Sequence, residues 1–264
     1  MKELINNLLV KISGYRFINN NVFNYYLDNS NSNSYEFLLM VKELNVDNKI
    51  LNSFYGSKSQ ILQDLFVLIK LNFLKKGFFV EFGSTDGITL SNTYLLEKRY
   101  EWNGILVEPS KKFHKKLNEN RKCITDKRCV YSKSGELVMF NEVEEGQLST
   151  IDSYSSEDGH SKSRKKGIKY EVETVSLLDL LIENDSPKVI EYLSIDTEGS
   201  EYDILNSFDF NKFKFKIITV EHNFINDKRD LINKLLKKNG YQRVYENLSK
   251  WDDWYVNTEF KSLL

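Results

Sequence analysis

Strand and helix patterns alternate along the chain from residue 78 onward, and this alternation limits the possible folds more than any other feature of the sequence. Continuous apolar runs, typical of buried parallel strands, occur at 78–82, 104–108, 189–195 and 216–221. Helical patterns follow at 90–100, 110–121, 176–184, 200–208 and 227–240. Such alternation predicts a mostly parallel sheet with helices on both faces, which is a Rossmann-like α/β fold.

Shorter strand patterns complete this prediction. Strands are expected near 129–131, 137–140 and 170–175. The last two strands, near 241–245 and 251–257, have no helical pattern between them. We therefore expect these two to pair as an antiparallel hairpin.

The domain organisation follows from where the patterns begin and break. Residues 1–56 are rich in Asn, Tyr and Phe and are predicted to form an N-terminal helical appendage. Residues 57–264 are predicted to form the Rossmann-like domain, which starts with a helix over 57–77. The alternation is interrupted at 141–169 by acidic, polar and basic runs, which predict a lid or a flexible loop.

Charge and targeting signals narrow the class of protein. The 37 basic and 38 acidic residues give a net charge of −1, so nothing favours general binding to nucleic acid, which needs a basic excess. No signal-peptide pattern and no apolar run long enough to span a bilayer are present. With Cys123 and Cys129 interpreted as reduced thiols, we expect a cytoplasmic protein.

The loop after the first apolar run indicates the ligand. It reads Glu81-Phe82-Gly83-Ser84-Thr85-Asp86-Gly87, and its glycines let the backbone turn and approach a ligand closely. A phosphate-binding loop needs a lysine beside its glycines, whereas this loop carries two acids. Carboxylates attract a cation such as S-adenosylmethionine, although a β-turn with solvated acids is the alternative.

A second acid stands at the end of the next strand. Glu108 lies 21 residues after Gly87, where a carboxylate can accept both hydrogen bonds of a ribose diol. The alternative is an exposed acid at the end of a strand. Pro109 and the apolar run before Glu108 favour a fixed, half-buried position.

Five segments in order make the sequence similar to the FkbM-type methyltransferase family. They read FFVEFGSTDG, SNTYLLEKRYEWNGILVEPS, QLSTIDSY, YLSIDTEGSEYDIL and ITVEHN, and the resemblance as a whole covers residues 59–257. This resemblance implies a class I methyltransferase fold with a seven-stranded sheet. It also implies an S-adenosylmethionine-dependent O-methyltransferase that acts on a hydroxyl of a sugar or surface-polysaccharide precursor.

The resemblance also implies which residues hold the donor. The resemblance itself implies the loop residues and Glu108, and the full predicted set adds Pro109, Ser110, Asp196 and two expected neighbours of the adenine. Its members are Glu81, Gly83, Ser84, Asp86, Gly87, Glu108, Pro109, Ser110, Cys129, Ser149 and Asp196.

The catalytic groups are expected at the ends of the fourth and fifth strands. His222 is predicted to be the general base, because an imidazole accepts a proton near neutral pH. Asp196 and Glu221 are predicted to orient His222 or the acceptor hydroxyl. Helix capping by Thr197 or Ser200 and a buried structural histidine are the alternatives.

A metal site is the rival arrangement. Asp196, Glu221 and His222 are competent ligands for a divalent ion, and some sugar O-methyltransferases look similar in placing acids around magnesium at these strand ends. Because histidine departs from an all-oxygen set, the metal-free arrangement is preferred.

The acceptor site and two competing functions complete the predictions. Gln60, Asp64, Glu198, Asn223 and Arg164 are predicted to contact a small-molecule or saccharide acceptor, with Arg164 reaching a phosphate. The competing functions are a nicotinamide-dependent oxidoreductase of nucleotide sugars and a non-catalytic domain that binds S-adenosylmethionine or carbohydrate.

Overall fold

The computed structural model describes residues 49–54, 56–156 and 159–260. The chain divides into two units, residues 1–52 and 53–264. The predicted helical appendage of residues 1–56 lies almost wholly outside the described residues and stays a prediction.

The strands and helices of the described residues are numbered in chain order. The strands are β1 Phe78–Phe82, β2 Asn103–Val107, β3 Ile124–Asp126, β4 Cys129–Tyr131, β5 Leu137–Glu142, β6 Thr150–Ile151, β7 Ile168–Ser176, β8 Val189–Ile195, β9 Lys214–Glu221, β10 Tyr241–Val244 and β11 Asp252–Asn257. The helices are α1 Lys49–Phe54, α2 Gln63–Lys70, α3 Tyr94–Tyr100, α4 His114–Asn120, α5 Ser161–Arg164, α6 Leu177–Glu183, α7 Glu201–Ser207, α8 Asn226–Lys238 and α9 Glu246–Ser249.

A seven-stranded mixed sheet forms the centre of the domain, in the order β10-β11-β9-β8-β1-β2-β3. Neighbouring strands from β9 to β3 pair in parallel, and β11 is antiparallel to both β9 and β10. The predicted α/β architecture and the C-terminal antiparallel pair are therefore confirmed. Chain connections run in opposite directions from β1 and β8, so the crevice beyond these two strand ends is where such sheets bind ligands.

A second, four-stranded sheet corrects the sequence prediction. The patterns near 129–131, 137–140 and 170–175 form β4, β5 and β7, which join β6 in the order β4-β7-β5-β6. The third strand of the main sheet is instead β3, a polar three-residue segment that the sequence pattern missed. Its carbonyl at Asp126 accepts the N–H of Glu108 and so fixes the end of β2.

Several predicted helices are shorter than expected. The helix predicted over 57–77 forms only as α2, and the helix predicted from residue 90 begins at Tyr94 as α3. Serine, asparagine and threonine at 91–93 are held by a buried carboxylate before α3 starts. The 141–169 segment contains β6, a 3₁₀ turn at Asp152–Tyr154 and α5; its role as a lid stays a prediction.

The length and polarity of the helices bear on insertion into a membrane. Within the part of the chain that the structure describes, every helix is too short or too polar to cross a bilayer.

Gly83 allows the loop after β1 to approach β8, and this generates a prediction about stability. Its φ is +73°, and a Cβ there would lie 2.1 Å from the carbonyl oxygen of Asp196. Gly83→Ala should lower the free energy of unfolding in urea by about 3 kcal/mol, since left-handed strain and a backbone clash add.

Gly135→Ala is the matched control for this measurement. Gly135 has a φ of +76° but nothing within 4 Å of a Cβ, so it should lose only the strain, about 1 kcal/mol. Equal losses at the two positions would contradict the close approach to Asp196.

Candidate functional site

A cleft lies beyond the carboxyl ends of β1, β2 and β8 and contains about 770 Å³ of empty space, part of it open to solvent. Both sheets contribute to its walls. The lining residues are Glu81, Phe82, Gly83, Thr85, Thr89, Leu90, Asn92, Val107, Glu108, Pro109, Cys129, Val130, Phe140, Gly146, Gln147, Ser149, Ile151, Asp196 and Thr197. We call this space the donor cleft.

Glu108 is a fixed, buried acceptor in the donor cleft. Its two carboxylate oxygens accept the backbone N–H groups of Thr85 and Ser110, at 2.7 and 2.8 Å. Burial raises the pKa of Glu108 to about 7, and the negative charge of Glu142 adds to this. Each oxygen keeps a further lone pair, so the carboxylate can still accept from a ligand diol.

An apolar wall faces the cleft from the second sheet. Cys129 and Val130 on β4, Phe140 on β5 and Ile151 on β6 are buried there. Burial also raises the pKa of the Cys129 thiol to about 12, which keeps it neutral. Cys129 therefore lines the cleft although β4 is not in the main sheet, and its contact with adenine stays a prediction.

Ser149, the second predicted neighbour of the adenine, lies on the loop that closes this side of the cleft. Its hydroxyl accepts the N–H of Val143 at 3.1 Å and holds the loop together. Gly146 and Gln147 of the same loop line the cleft as well.

Glu81 does not present a free negative charge to the cleft, contrary to the sequence argument. Its carboxylate accepts hydrogen bonds from the Ser91 hydroxyl at 3.0 Å, the Asn92 N–H at 2.7 Å and the Thr93 hydroxyl. The buried guanidinium of Arg121 lies 3.9 Å away. Burial raises the pKa of Glu81 despite these partners. Because three neighbouring residues donate hydrogen bonds to its carboxylate, Glu81 stabilises the local structure.

Asp86, unlike Glu81, lies outside the cleft lining. Burial acts to raise its pKa, but hydrogen bonds from the N–H groups of Thr89 and Ile88, at 2.7 and 2.9 Å, hold the pKa below its usual range. The carboxylate therefore closes its own loop. Of the three acids in the sequence argument, Glu108 alone lines the cleft without a cationic side-chain nitrogen within 4.0 Å of its carboxylate among the described residues.

Three further predicted donor residues stand behind the lining. Ser84 donates to the carbonyl of Val107 at 3.4 Å, and Ser110 donates to Glu142 at 2.7 Å. A Cβ on Gly87 would meet the side chain of Arg121 at 2.6 Å. These residues support the cleft, and direct contact with a donor stays a prediction for them.

A cluster of acids joins the donor cleft to a second cavity. Asp196 lines the donor cleft, whereas Glu198 and Glu221 line a neighbouring space of about 250 Å³. One carboxylate oxygen from each lies within 4.8 Å of the others. We call these three residues the acid cluster and the second space the acceptor cavity.

Two members of the acid cluster, Asp196 and Glu221, hold protons more tightly than ordinary carboxylates. Desolvation and the charge of Asp252 raise the pKa of Asp196 to about 7. Desolvation followed by the charges of Asp196 and Glu198 raises the pKa of Glu221. Groups in such surroundings are suited to exchange a proton near neutral pH.

Neighbouring donors hold part of the acid cluster in place. The side-chain amide of Asn223 donates to Glu198 at 3.1 Å and to Glu221 at 2.8 Å. Arg164 is buried and pairs with Glu198 at 2.8 Å, and it also donates to the Leu148 carbonyl. The expected contact of Arg164 with a substrate phosphate has no support in this geometry.

His222 is buried, and both of its ring nitrogens have backbone partners. Nδ1 accepts the N–H of Phe224 at 3.0 Å, and Nε2 lies 3.1 Å from the carbonyl of Asp252, to which it donates. Burial lowers the pKa of His222. The imidazole is therefore neutral with no free lone pair, and the geometry does not support its predicted role as general base or metal ligand.

The set of possible metal ligands therefore differs from the predicted one. The structure groups Asp196 and Glu221 with Glu198 in place of His222, and an all-carboxylate set suits a hard cation such as Mg²⁺. The amide hydrogens of Asn223 already occupy lone pairs on Glu198 and Glu221, which disfavours a cation at the same oxygens.

Two predicted acceptor residues precede or begin α2. Gln60 is exposed. Asp64 is fully buried, accepts the Ser57 hydroxyl at 2.7 Å, and has a pKa raised by burial to about 6. Gln63, which the sequence argument did not single out, connects this segment to the site by donating to Asp252 at 2.8 Å.

Several cleft residues were missed by sequence reasoning. Thr85, Asn92 and Thr197 sit within motifs that had been noted, but only their positions in space bring them to the cleft. Arg121 lies 40 residues beyond Glu81 and had no recognisable sequence signal.

The chain is similar to one family of known proteins and to several solved structures. A family model described as the methyltransferase FkbM domain matches residues 81–243. A methyltransferase FkbM structure from Methylobacillus flagellatus is similar at 12% identity and a TM-score of 0.43, covering 69% of this chain and 43% of that one. The precorrin-6y C5,15-methyltransferase of Geobacter metallireducens has 11% identity and a TM-score of 0.37, covering 69% and 71%. The chain thus spans less than half of the first protein, and curated protein sequences gave no significant match.

Arg121 generates a testable prediction about this site. Its buried guanidinium pairs with Glu97 at 2.6 Å and faces Glu81. Arg121→Met should lower the free energy of unfolding by about 3–5 kcal/mol, because it leaves a buried charge without a partner. Urea denaturation at pH 7 measures this.

Arg128→Met serves as the control. Arg128 pairs with Asp126 and Glu183 in a partly exposed position, so its loss should cost about 1 kcal/mol or less. Similar losses for the two variants would refute the idea that Arg121 compensates Glu81.

Proposed function

Because the chain belongs to the methyltransferase FkbM domain family, we propose that it transfers a methyl group from S-adenosylmethionine to a hydroxyl of a saccharide or surface-polysaccharide precursor. The observation that carries this proposal is the acid cluster, which joins a cleft with a ribose-type acceptor to a second cavity. Donor and acceptor can thus meet at groups able to take up a proton.

The donor cleft fits S-adenosylmethionine in three respects. Glu108 can accept the ribose hydroxyls, and the wall of Cys129, Val130, Phe140 and Ile151 suits a purine face. Gly83 lines the cleft without adding a side chain to it. When bound, the donor supplies a methyl carbon activated by its sulfonium.

The chain's own residues then position and deprotonate the acceptor. Asp196 and Glu221 replace His222 as the proposed base, because Asp196 lines the donor cleft, Glu221 lines the acceptor cavity and the pKa values of both are raised. Removing the hydroxyl proton as the methyl group moves is the step that a positioned carboxylate can accelerate.

The acceptor class is argued from hydrogen-bond chemistry. A saccharide presents several hydroxyl donors, and the acceptor cavity offers the carboxylates of Glu198, Glu201 and Glu221. Phe224 follows Asn223 at the edge of this cavity and is 66% exposed, so its ring is available to stack on a sugar face.

Ligand stabilisation tests the donor. S-adenosylhomocysteine should raise the melting temperature, and NAD or NADP should not, since only a ligand of the folded state stabilises it. Glu108→Ala should weaken S-adenosylhomocysteine binding by about 100-fold through loss of two charge-assisted hydrogen bonds. Stabilisation by NADP alone would support the oxidoreductase instead.

Proton removal by the acid cluster predicts a pH dependence. A base must be ionised, so kcat should rise with pH and level off above about 7, the pKa of Asp196. Glu221→Gln should lower kcat about 100-fold or more without changing the affinity for S-adenosylhomocysteine. The rate is measured by mass spectrometry as the gain of one methylene by the sugar acceptor. Full activity of Glu221→Gln would overturn the assignment of Glu221 as a base.

The metal alternative is tested separately. Since the Asn223 amide donates to one oxygen of Glu198 and one of Glu221, turnover should survive dialysis against EDTA and should not rise with added Mg²⁺. Loss of turnover that Mg²⁺ restores would instead assign Asp196, Glu198 and Glu221 as metal ligands.

A further inference from the structure

One atom of the donor cleft is buried without a hydrogen-bond partner. Of the unsatisfied buried side-chain atoms among the described residues, Oδ1 of Asn92 is the one whose residue lines this cleft. Asn92 is only 8% exposed. A buried acceptor without a donor lowers stability, so its retention at a ligand cleft points to a donor supplied by the ligand.

The remaining polar groups of Asn92 are fixed by the protein. Its backbone N–H donates to Glu81 at 2.7 Å, and its Nδ2 donates to the hydroxyl of Ser194 at 3.0 Å. Glu81 belongs to β1 and Ser194 to β8. The side chain is therefore held at the junction of these two strand ends, with Oδ1 unused.

The chemistry of this corner selects the group that Asn92 can bind. Oδ1 accepts hydrogen bonds and cannot donate them, so the ligand atom must carry hydrogen. The side chains bonded to Asn92 are the Glu81 carboxylate and the Ser194 hydroxyl. The guanidinium of Arg121 lies 3.9 Å from Glu81 and donates to Glu97, Ser91 and Thr93. An ammonium group therefore suits this corner better than a carboxylate.

The position agrees with the layout of the donor cleft. Glu108, which can accept the ribose, follows β2, and the apolar wall lies on the second sheet. Asn92 is tied to β1 and β8 on the other side, where Asp196 begins the acid cluster. A ligand that spans the cleft from the apolar wall would bring its amino-acid end to Asn92.

We propose that Oδ1 of Asn92 accepts a hydrogen bond from the α-ammonium group of the methyl donor, which makes Asn92 a specificity residue for the amino-acid end of the ligand. This inference rests on the proposed use of S-adenosylmethionine. If it is correct, the side-chain amide of Asn92 contributes to the affinity for the ammonium group and not to the affinity for the nucleoside.

A thermodynamic cycle between protein and ligand tests this coupling. Calorimetry on the full chain measures the affinity for S-adenosylhomocysteine and for its deaminated analogue, in which hydrogen replaces the ammonium group. The wild type should bind the first about tenfold or more tightly, as expected for a hydrogen bond to a charged group. In Asn92→Ala this preference should fall to less than about threefold.

Ser194→Ala is the matched control, because it removes the hydrogen bond to Nδ2 and leaves Oδ1 in place. It should keep a clear preference for the ligand that carries ammonium. If Asn92→Ala fails to fold, the wild type alone decides, since equal affinity for the two ligands overturns the proposal.

The remaining outcomes separate this inference from the proposed function. If the wild type binds both ligands and Asn92→Ala weakens both equally, the ammonium contact is refuted while S-adenosylmethionine use stands. If the wild type binds neither ligand, the proposed function fails and the inference fails with it.

Discussion

The arrangement of the donor cleft depends on one buried interaction, the network around Glu81. This carboxylate lies on the central strand and accepts hydrogen bonds from Ser91, Asn92 and Thr93, which sets where α3 begins. Arg121, just after α4, compensates its charge. Because a buried carboxylate is costly unless it is paired, this network ties the loop after β1 to two helices and fixes one wall of the cleft.

Buried acids elsewhere in the site have a different character. Glu108, Asp196 and Glu221 have raised pKa values, with burial as the largest cause and neighbouring carboxylates as a further one. Such surroundings oppose folding with all three ionised. These acids lie at the edges of two adjoining cavities. This corner of the domain therefore differs from a structural ion pair, in which each charge has an oppositely charged partner.

The second sheet completes the site from the opposite side. Its strands bring Cys129, Phe140 and Ile151 to the donor cleft, and the same segment carries Arg164 to Glu198 at the end of β8. The 141–169 region is thus bonded to the acid cluster through a buried ion pair. Only the fold could reveal this, because the basic run around Arg164 looks like a solvated surface segment in the sequence.

The sequence by itself determined the parallel strands, the glycine loop and the acids that follow β1, β2, β8 and β9, because strand burial and backbone turns are local properties that leave a local pattern. The tertiary structure decided which acid is compensated and which is exposed to a ligand. Glu81 lies beside Arg121, both ring nitrogens of His222 are bonded to backbone groups, and Oδ1 of Asn92 has no hydrogen-bond partner. Each outcome depends on partners distant in sequence or on the path of a turn, and the charge a residue presents is set by those partners rather than by its own type.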